Sequence, residues 1–185
     1  MIGVTGRPET GQTQWDREIV PETLEASLVA EYTAVEVSTS PLAPRRPKVL
    51  LSSVSSDSHT WNLVFLQLLL EETGHDVVNI GACVPDDLLV AECAEHRPDV
   101  VVISTVNGHG AADGKRLITR IRTDPALRGL TVVIGGKLGV AGAADHSCAA
   151  ELVDAGFDAV FQDNADVGDF LGFIESSVPS LEVGV

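Results

Sequence analysis

Asp99-Val100-Val101-Val102-Ile103-Ser104 is a continuous apolar run, closed by a polar residue at either end. No alternation of apolar and polar residues interrupts it. The run therefore predicts a strand covered on both faces, as strands in the middle of a parallel sheet are. Working outward, the same kind of short apolar segment recurs at helix-length intervals, bounded by Gly, Pro or Asp. Lys48 to Val54 is predicted as the first strand, Trp61 to Thr73 as a helix stopped at Gly74, and Asp76 to Ile80 as the second strand. Pro85 to His96 is a helix with proline in its first turn, and the run at Asp99 to Ser104 follows it as the third strand. Asp113 to Arg122 is the next helix and Thr131 to Ile134 the fourth strand. Cys148 to Ala155 is a helix ending at Gly156, Ala159 to Phe161 a fifth strand, and Val167 to Ser177 a last helix.

Five strands alternating with five helices predict an α/β fold, a flavodoxin-like (Rossmann-type) doubly wound five-stranded parallel sheet, over residues 48–180. In such folds ligands lie outside the carboxyl ends of the strands, where the strand order reverses. The residues that follow strands one, three and four are thus the candidates for function. Residues 1–47 are expected to lie outside this core as an arm or linker. They are rich in Thr, Glu, Pro and Ser, and their one plausible helix runs from about Pro21 to Val35, before Pro41, Pro44 and Pro47.

Composition narrows the function further. Twelve basic against twenty-seven acidic residues give a formal charge of −15, which argues against nucleic acid and anionic membranes as partners. Cys83, Cys93 and Cys148 have no CxxC spacing, so neither a disulfide framework nor a structural zinc site is implied. With no basic and apolar leader and no apolar run of membrane-spanning length, a cytoplasmic protein is expected.

The first candidate loop carries Asp57-Ser58-His59, where a buried strand turns toward a helix. An aspartate two residues before a histidine can hold one ring nitrogen, fix the tautomer and leave the other nitrogen as a metal ligand. The ordinary alternative is a helix-capping Asp beside a surface His. The third strand is followed by Ser104-Thr-Val106-Asn-Gly108-His-Gly110, and the fourth by Gly135-Gly136-Lys-Leu-Gly139-Val-Ala-Gly142. These glycines remove side chains where a ligand could approach the backbone, or serve ordinary turns. His75, His96 and His146 are assigned no function, and His109 faces a ligand or a partner subunit, or else solvent. The cysteines read as small buried or half-buried apolar side chains. Leu63, Leu66, Leu69 and Leu70 form a core stripe at helical spacing.

Taken together, the three loops resemble the cobalamin-binding domain, most closely the small subunit of glutamate mutase (methylaspartate mutase). The hallmark DxHxxG, SxL or SxV, and GG elements read here as Asp57-Ser-His59-Thr-Trp-Asn62, Ser104-Thr-Val106 and Gly135-Gly136. The resemblance spans about residues 48–178 and extends to Val77-Val-Asn79-Ile-Gly81 and Gly108-His-Gly110. It implies adenosylcobalamin as cofactor, His59 as the lower axial ligand of cobalt in place of the dimethylbenzimidazole tail, and Asp57 hydrogen-bonded to it. Ser58, Thr60 and Asn62 would lie beside the cofactor. Ser104 and Val106 would line a slot for the displaced tail, Gly135 and Gly136 would let its nucleotide pass, and Gly108 and Gly139 would flank it. Asn62 stands where the hallmark has glycine. If only the turn matters, Asn can serve through a left-handed backbone; if the bare backbone makes room for the cofactor, Asn62 alters the path of the tail. Lys137 is a further departure, either solvated or reaching a phosphate or amide.

The function implied is the cobalamin-carrying subunit of a carbon-skeleton mutase, an isomerase. A larger TIM-barrel subunit would hold the amino-acid substrate and sandwich the cofactor. Two other readings stand beside it. A corrinoid carrier for methyl transfer usually has a helical bundle in front, whereas about 47 residues precede the first strand here; a regulatory or assembly module is favoured only by Asn62.

Overall fold

The computed structural model of the protein describes residues 45–140 and 146–177, with side chains of the second segment described from Cys148 onward. The helix expected at residues 21–35 and the side chain of His146 lie outside them. The chain alternates β1 (Lys48–Ser52), α1 (Trp61–Glu72), β2 (Asp76–Gly81), α2 (Asp86–His96), β3 (Val100–Thr105), α3 (Gly110–Thr123), β4 (Thr131–Gly136), α4 (His146–Ala155), β5 (Ala159–Gln162) and α5 (Val167–Ser177). All four strand pairings are parallel, in the order β2-β1-β3-β4-β5. This is the flavodoxin-like order, and its direction of growth reverses between β1 and β3.

β3 sits at the centre, buried at all six positions, as its unbroken apolar run predicts. Alternation along the strand sorts its side chains between two cores. Val101 and Ile103 join Leu89, Cys93, Leu117, Ile118, Ile121 and Leu152 of α2, α3 and α4. Val100 and Val102 join Leu63 and Leu70 of α1 and Phe170 and Ile174 of α5 on the other face. Each of these full burials contributes about 2 kcal/mol relative to exposure. The same alternation sends Ser104 toward the α1 and α5 face and Thr105 toward the other, a split that organises the site.

The structure corrects several boundaries. β1 stops at Ser52 rather than Val54, because the Asp57 amide donates back to the Val54 carbonyl at 3.0 Å and turns the chain. β4 runs on through Gly135 and Gly136, which pair with Ser104 and Thr105 on one side and with Phe161 and Gln162 on the other. The glycine pair is therefore strand, not loop. α3 begins at Gly110, three residues before the expected Asp113; a Cβ at Gly110 would collide with the Thr105 methyl group, so glycine lets the helix start against the sheet. Cys93 and Cys148 are buried as expected, whereas Cys83 is exposed. α1 is apolar beyond its core stripe: Trp61, Val64, Phe65 and Leu68 are all more than half exposed.

Candidate functional site

Between β1 and α1 the chain places Asp57 at 0% exposure, beneath the point where the strand order reverses. One carboxylate oxygen accepts from the His59 amide at 3.0 Å and lies 2.6 Å from His59 Nδ1. The other accepts from Thr105 Oγ at 2.8 Å and from the Val106 amide at 2.6 Å. A single carboxylate thus ties the loop after β1 to the end of β3. Burial pushes its pKa up, but the bonds from the His59 and Val106 amides, the imidazole and the Thr105 hydroxyl outweigh it and bring it down to about 2. Ionised Asp57 accepts from the imidazole at Nδ1, and the ring is half exposed.

A surrounding polar network holds this loop. Asn107 donates to Ser56, Ser56 pairs with Asp113, and Arg116 bridges Asp86, Asp113 and Ser55. Sequence reasoning missed all of these and Thr105 as well. Their partners stand 30 to 61 residues apart in most pairs, and no spacing rule links them.

On the other face, α1, α5 and the ends of β3, β4 and β5 enclose a groove of about 290 Å³. Its walls are largely apolar, with Phe161 and Phe170 packed edge to face at 5.4 Å. The structure brings five expected residues to this groove: Asn62, Ser104, Val106, Gly135 and Gly136. Lys137 lies there too, as do Leu66 and Leu69, which are groove wall as well as core. Ser58 and Thr60 are exposed on either side of His59, away from the groove. Gly108, at φ +81°, approaches Gly139 in the neighbouring loop, where a Cβ would rest 3.6 Å from the Gly139 carbonyl oxygen. Neither lines the groove.

Asn62 lies in the first turn of α1 with a helical backbone; Cys83 and Arg97 are the only non-glycine residues with positive φ among those described. The left-handed turn considered for this position is thus not what it provides. Its side chain fills space instead, being only 5% exposed and donating through Nδ2 to Ser104 Oγ at 2.9 Å and to the Ser104 carbonyl at 3.3 Å. Its Oδ1 is buried and unpartnered among the described residues. Gly135 and Gly136 have reasons within the protein itself. A Cβ at Gly135 would sit 2.8 Å from the Phe161 carbonyl oxygen, and one at Gly136, where φ is +95°, would strike the Thr105 carbonyl.

A half-exposed imidazole braced by a buried carboxylate thus lies at the carboxyl end of the sheet, and a family profile described as the B12 binding domain matches the chain over residues 47–167. The chain belongs to the B12-binding domain family. Its B12-binding domain is 26% identical over 117 residues to the glutamate mutase sigma subunit of Fusobacterium nucleatum, covering 63% of this chain and 85% of that protein. It is 31% identical over 117 residues to the glutamate mutase sigma subunit of Halobacterium salinarum, covering 62% and 76%. Among solved structures it is similar to a cobalamin-binding protein from Desulfitobacterium hafniense, with a TM-score of 0.59 and 23% identity over 73% of this chain and 60% of that one. That likeness shows the fold. The residues present in the B12-binding domain fit the cofactor on chemical grounds: a carboxylate-oriented imidazole is a sound cobalt ligand, and Asn62, one of the groove-lining residues, carries a buried oxygen with no partner among the described residues. Among the described residues, no helix is long and apolar enough to cross a membrane.

Proposed function

We propose that this chain is the cobalamin-binding subunit of an adenosylcobalamin-dependent mutase of the glutamate (methylaspartate) type, in which His59 Nε2 would hold the cobalt. The observation that carries the reading is the 2.6 Å bond between Asp57 and His59 Nδ1 at the topological switch point. Relatives named as sigma subunits of glutamate mutase support it, and so does a fold that puts ligand chemistry at one edge of the sheet. The domain is read as running from about residue 48 to 180, preceded by residues 1–47. Adenosylcobalamin, when bound, supplies a weak cobalt–carbon bond as the source of radical chemistry.

The chain's own residues bind and orient. Asp57, held ionised by its bonds to the end of β3, keeps the proton on Nδ1 and the imidazole fixed in direction. Ser104 and Val106 wall the groove that receives the nucleotide tail, beside Gly135 and Gly136. Ser58, Thr60, Gly108 and Gly139 would flank the cofactor outside the groove, and a larger TIM-barrel subunit would hold the amino-acid substrate. That partner makes the isomerase complete, in the cytoplasm.

Titration of the purified protein with cobalamin, followed by visible absorbance, tests the reading. The wild type is expected to give a base-off, histidine-ligated spectrum that disappears in His59→Ala. An unchanged spectrum in that variant, or no binding by the wild type with or without a large mutase subunit, overturns it.

A further inference from the structure

The Asn62–Ser104 couple carries information about what the groove accepts. Beside Asn62 stands the Ser104 carbonyl, which can only accept a hydrogen bond, so the amide must turn its NH2 toward β3 and its Oδ1 away. Ser104 Oγ accepts from the same NH2 at 2.9 Å and therefore has its own proton to give elsewhere. Asn62 Oδ1, on a side chain 95% buried, has no partner among the described residues. Both residues line the groove, whose other walls are mostly apolar. The two unused groups, one hydroxyl donor and one amide acceptor, thus belong to neighbouring residues of the groove wall.

We propose that Asn62 is a specificity-determining residue that selects the base of the cofactor's nucleotide tail, an inference that rests on the cobalamin reading above. The base it favours is a nitrogen heteroaromatic that accepts from Ser104 and also donates an N–H to Asn62. Adenine, with ring nitrogens and an exocyclic amine, meets both requirements. 5,6-Dimethylbenzimidazole offers a ring acceptor but no N–H once its glycosidic bond is made, and would leave Asn62 Oδ1 buried and unpaired. Sites that hydrogen-bond a ligand N–H discriminate against ligands lacking it more strongly than apolar contacts do. A glycine at position 62 would remove the acceptor and open the groove together.

The test compares the affinity of the full chain for three corrinoids: a cobamide with adenine as lower base, cobalamin itself, and cobinamide, which has no nucleotide. Wild type is expected to bind the adenine cobamide about tenfold more tightly than cobalamin, and Asn62→Gly, checked for folding by circular dichroism, to bring the two within about twofold. Equal affinities in the wild type, a wild-type preference for cobalamin, or a tenfold preference that survives in Asn62→Gly overturns the proposal. Should the variant not fold, the wild-type ratio decides alone. Cobinamide binding as tightly as either complete cofactor would show that no base occupies the groove, overturning the proposal while leaving the cobalamin reading intact; binding of none of the three, with or without a large mutase subunit, overturns both.

Discussion

Asp57 and Asn62 are both buried polar residues that reach the end of β3, and they end in opposite conditions. Asp57 approaches from the face of Thr105, and both of its oxygens are engaged, by two backbone amides, a hydroxyl and an imidazole. Asn62 approaches from the face of Ser104, where its NH2 is used and its carbonyl is not. Neighbouring residues on one strand thus anchor two sites of different character. The first is complete in the protein alone and holds its histidine ready. The second leaves a buried carbonyl oxygen without a partner among the described residues, at a cost to the free protein.

The largest expected effect comes from removing the satisfied side. Asp57→Ala would strand two amide donors and a hydroxyl in a site with no exposure, and should lower stability by about 3 kcal/mol in urea denaturation. A loss below about 1 kcal/mol would mean that the carboxylate contributes little to the fold, and the contrast with Asn62 would collapse. A smaller effect follows from pH. The folded-state pKa of Asp57 is depressed to about 2 from an ordinary 3.8, so its contribution is fully present above the unfolded value and is lost as pH falls from about 4 to 2. The amount is about 2 kcal/mol, and the acid limb of the stability profile should flatten in Asp57→Asn.

How much of this was legible beforehand follows from the range of each signal. The apolar run at 99–104 announced a central strand because burial on both faces leaves no polar position, and the chain's alternation of strands and helices then predicted the sheet that the structure has. The Asp57–His59 pair was legible because it is local: two residues apart, it needs no knowledge of the fold to bond. What held Asp57 was not legible. Thr105 and Val106 lie 48 and 49 residues away, and only the crossing of β1 to β3 brings them there. The glycine pair shows the opposite case, in which the fold supplies a reason that the motif does not. Gly135 and Gly136 suggested room for a ligand, but the carbonyls of Phe161 and Thr105 already require them to be bare, and that closeness arises from strand pairing no motif encodes. The sequence around Asn62 is compatible with either a turn or a space-filling role, and the helical start of α1 decides for space.

The smallest expected effect is the most discriminating for the comparison. Asn62→Ala removes an unpaired buried carbonyl and substitutes a better helix former in the first turn of α1, both of which favour the folded state, the second by about 0.5 kcal/mol. Against this stand the two bonds donated to Ser104, of which the shorter, at 2.9 Å, leaves the serine hydroxyl to find another partner. These terms oppose one another, so the net change in stability should stay within about 1 kcal/mol in either direction, several times less than for Asp57→Ala. Urea denaturation of the two variants side by side measures the ratio directly. If Asn62→Ala instead cost as much as Asp57→Ala, the amide carbonyl would have to be satisfied in the free protein, by ordered water for instance, and the groove would be as complete as the loop that holds His59.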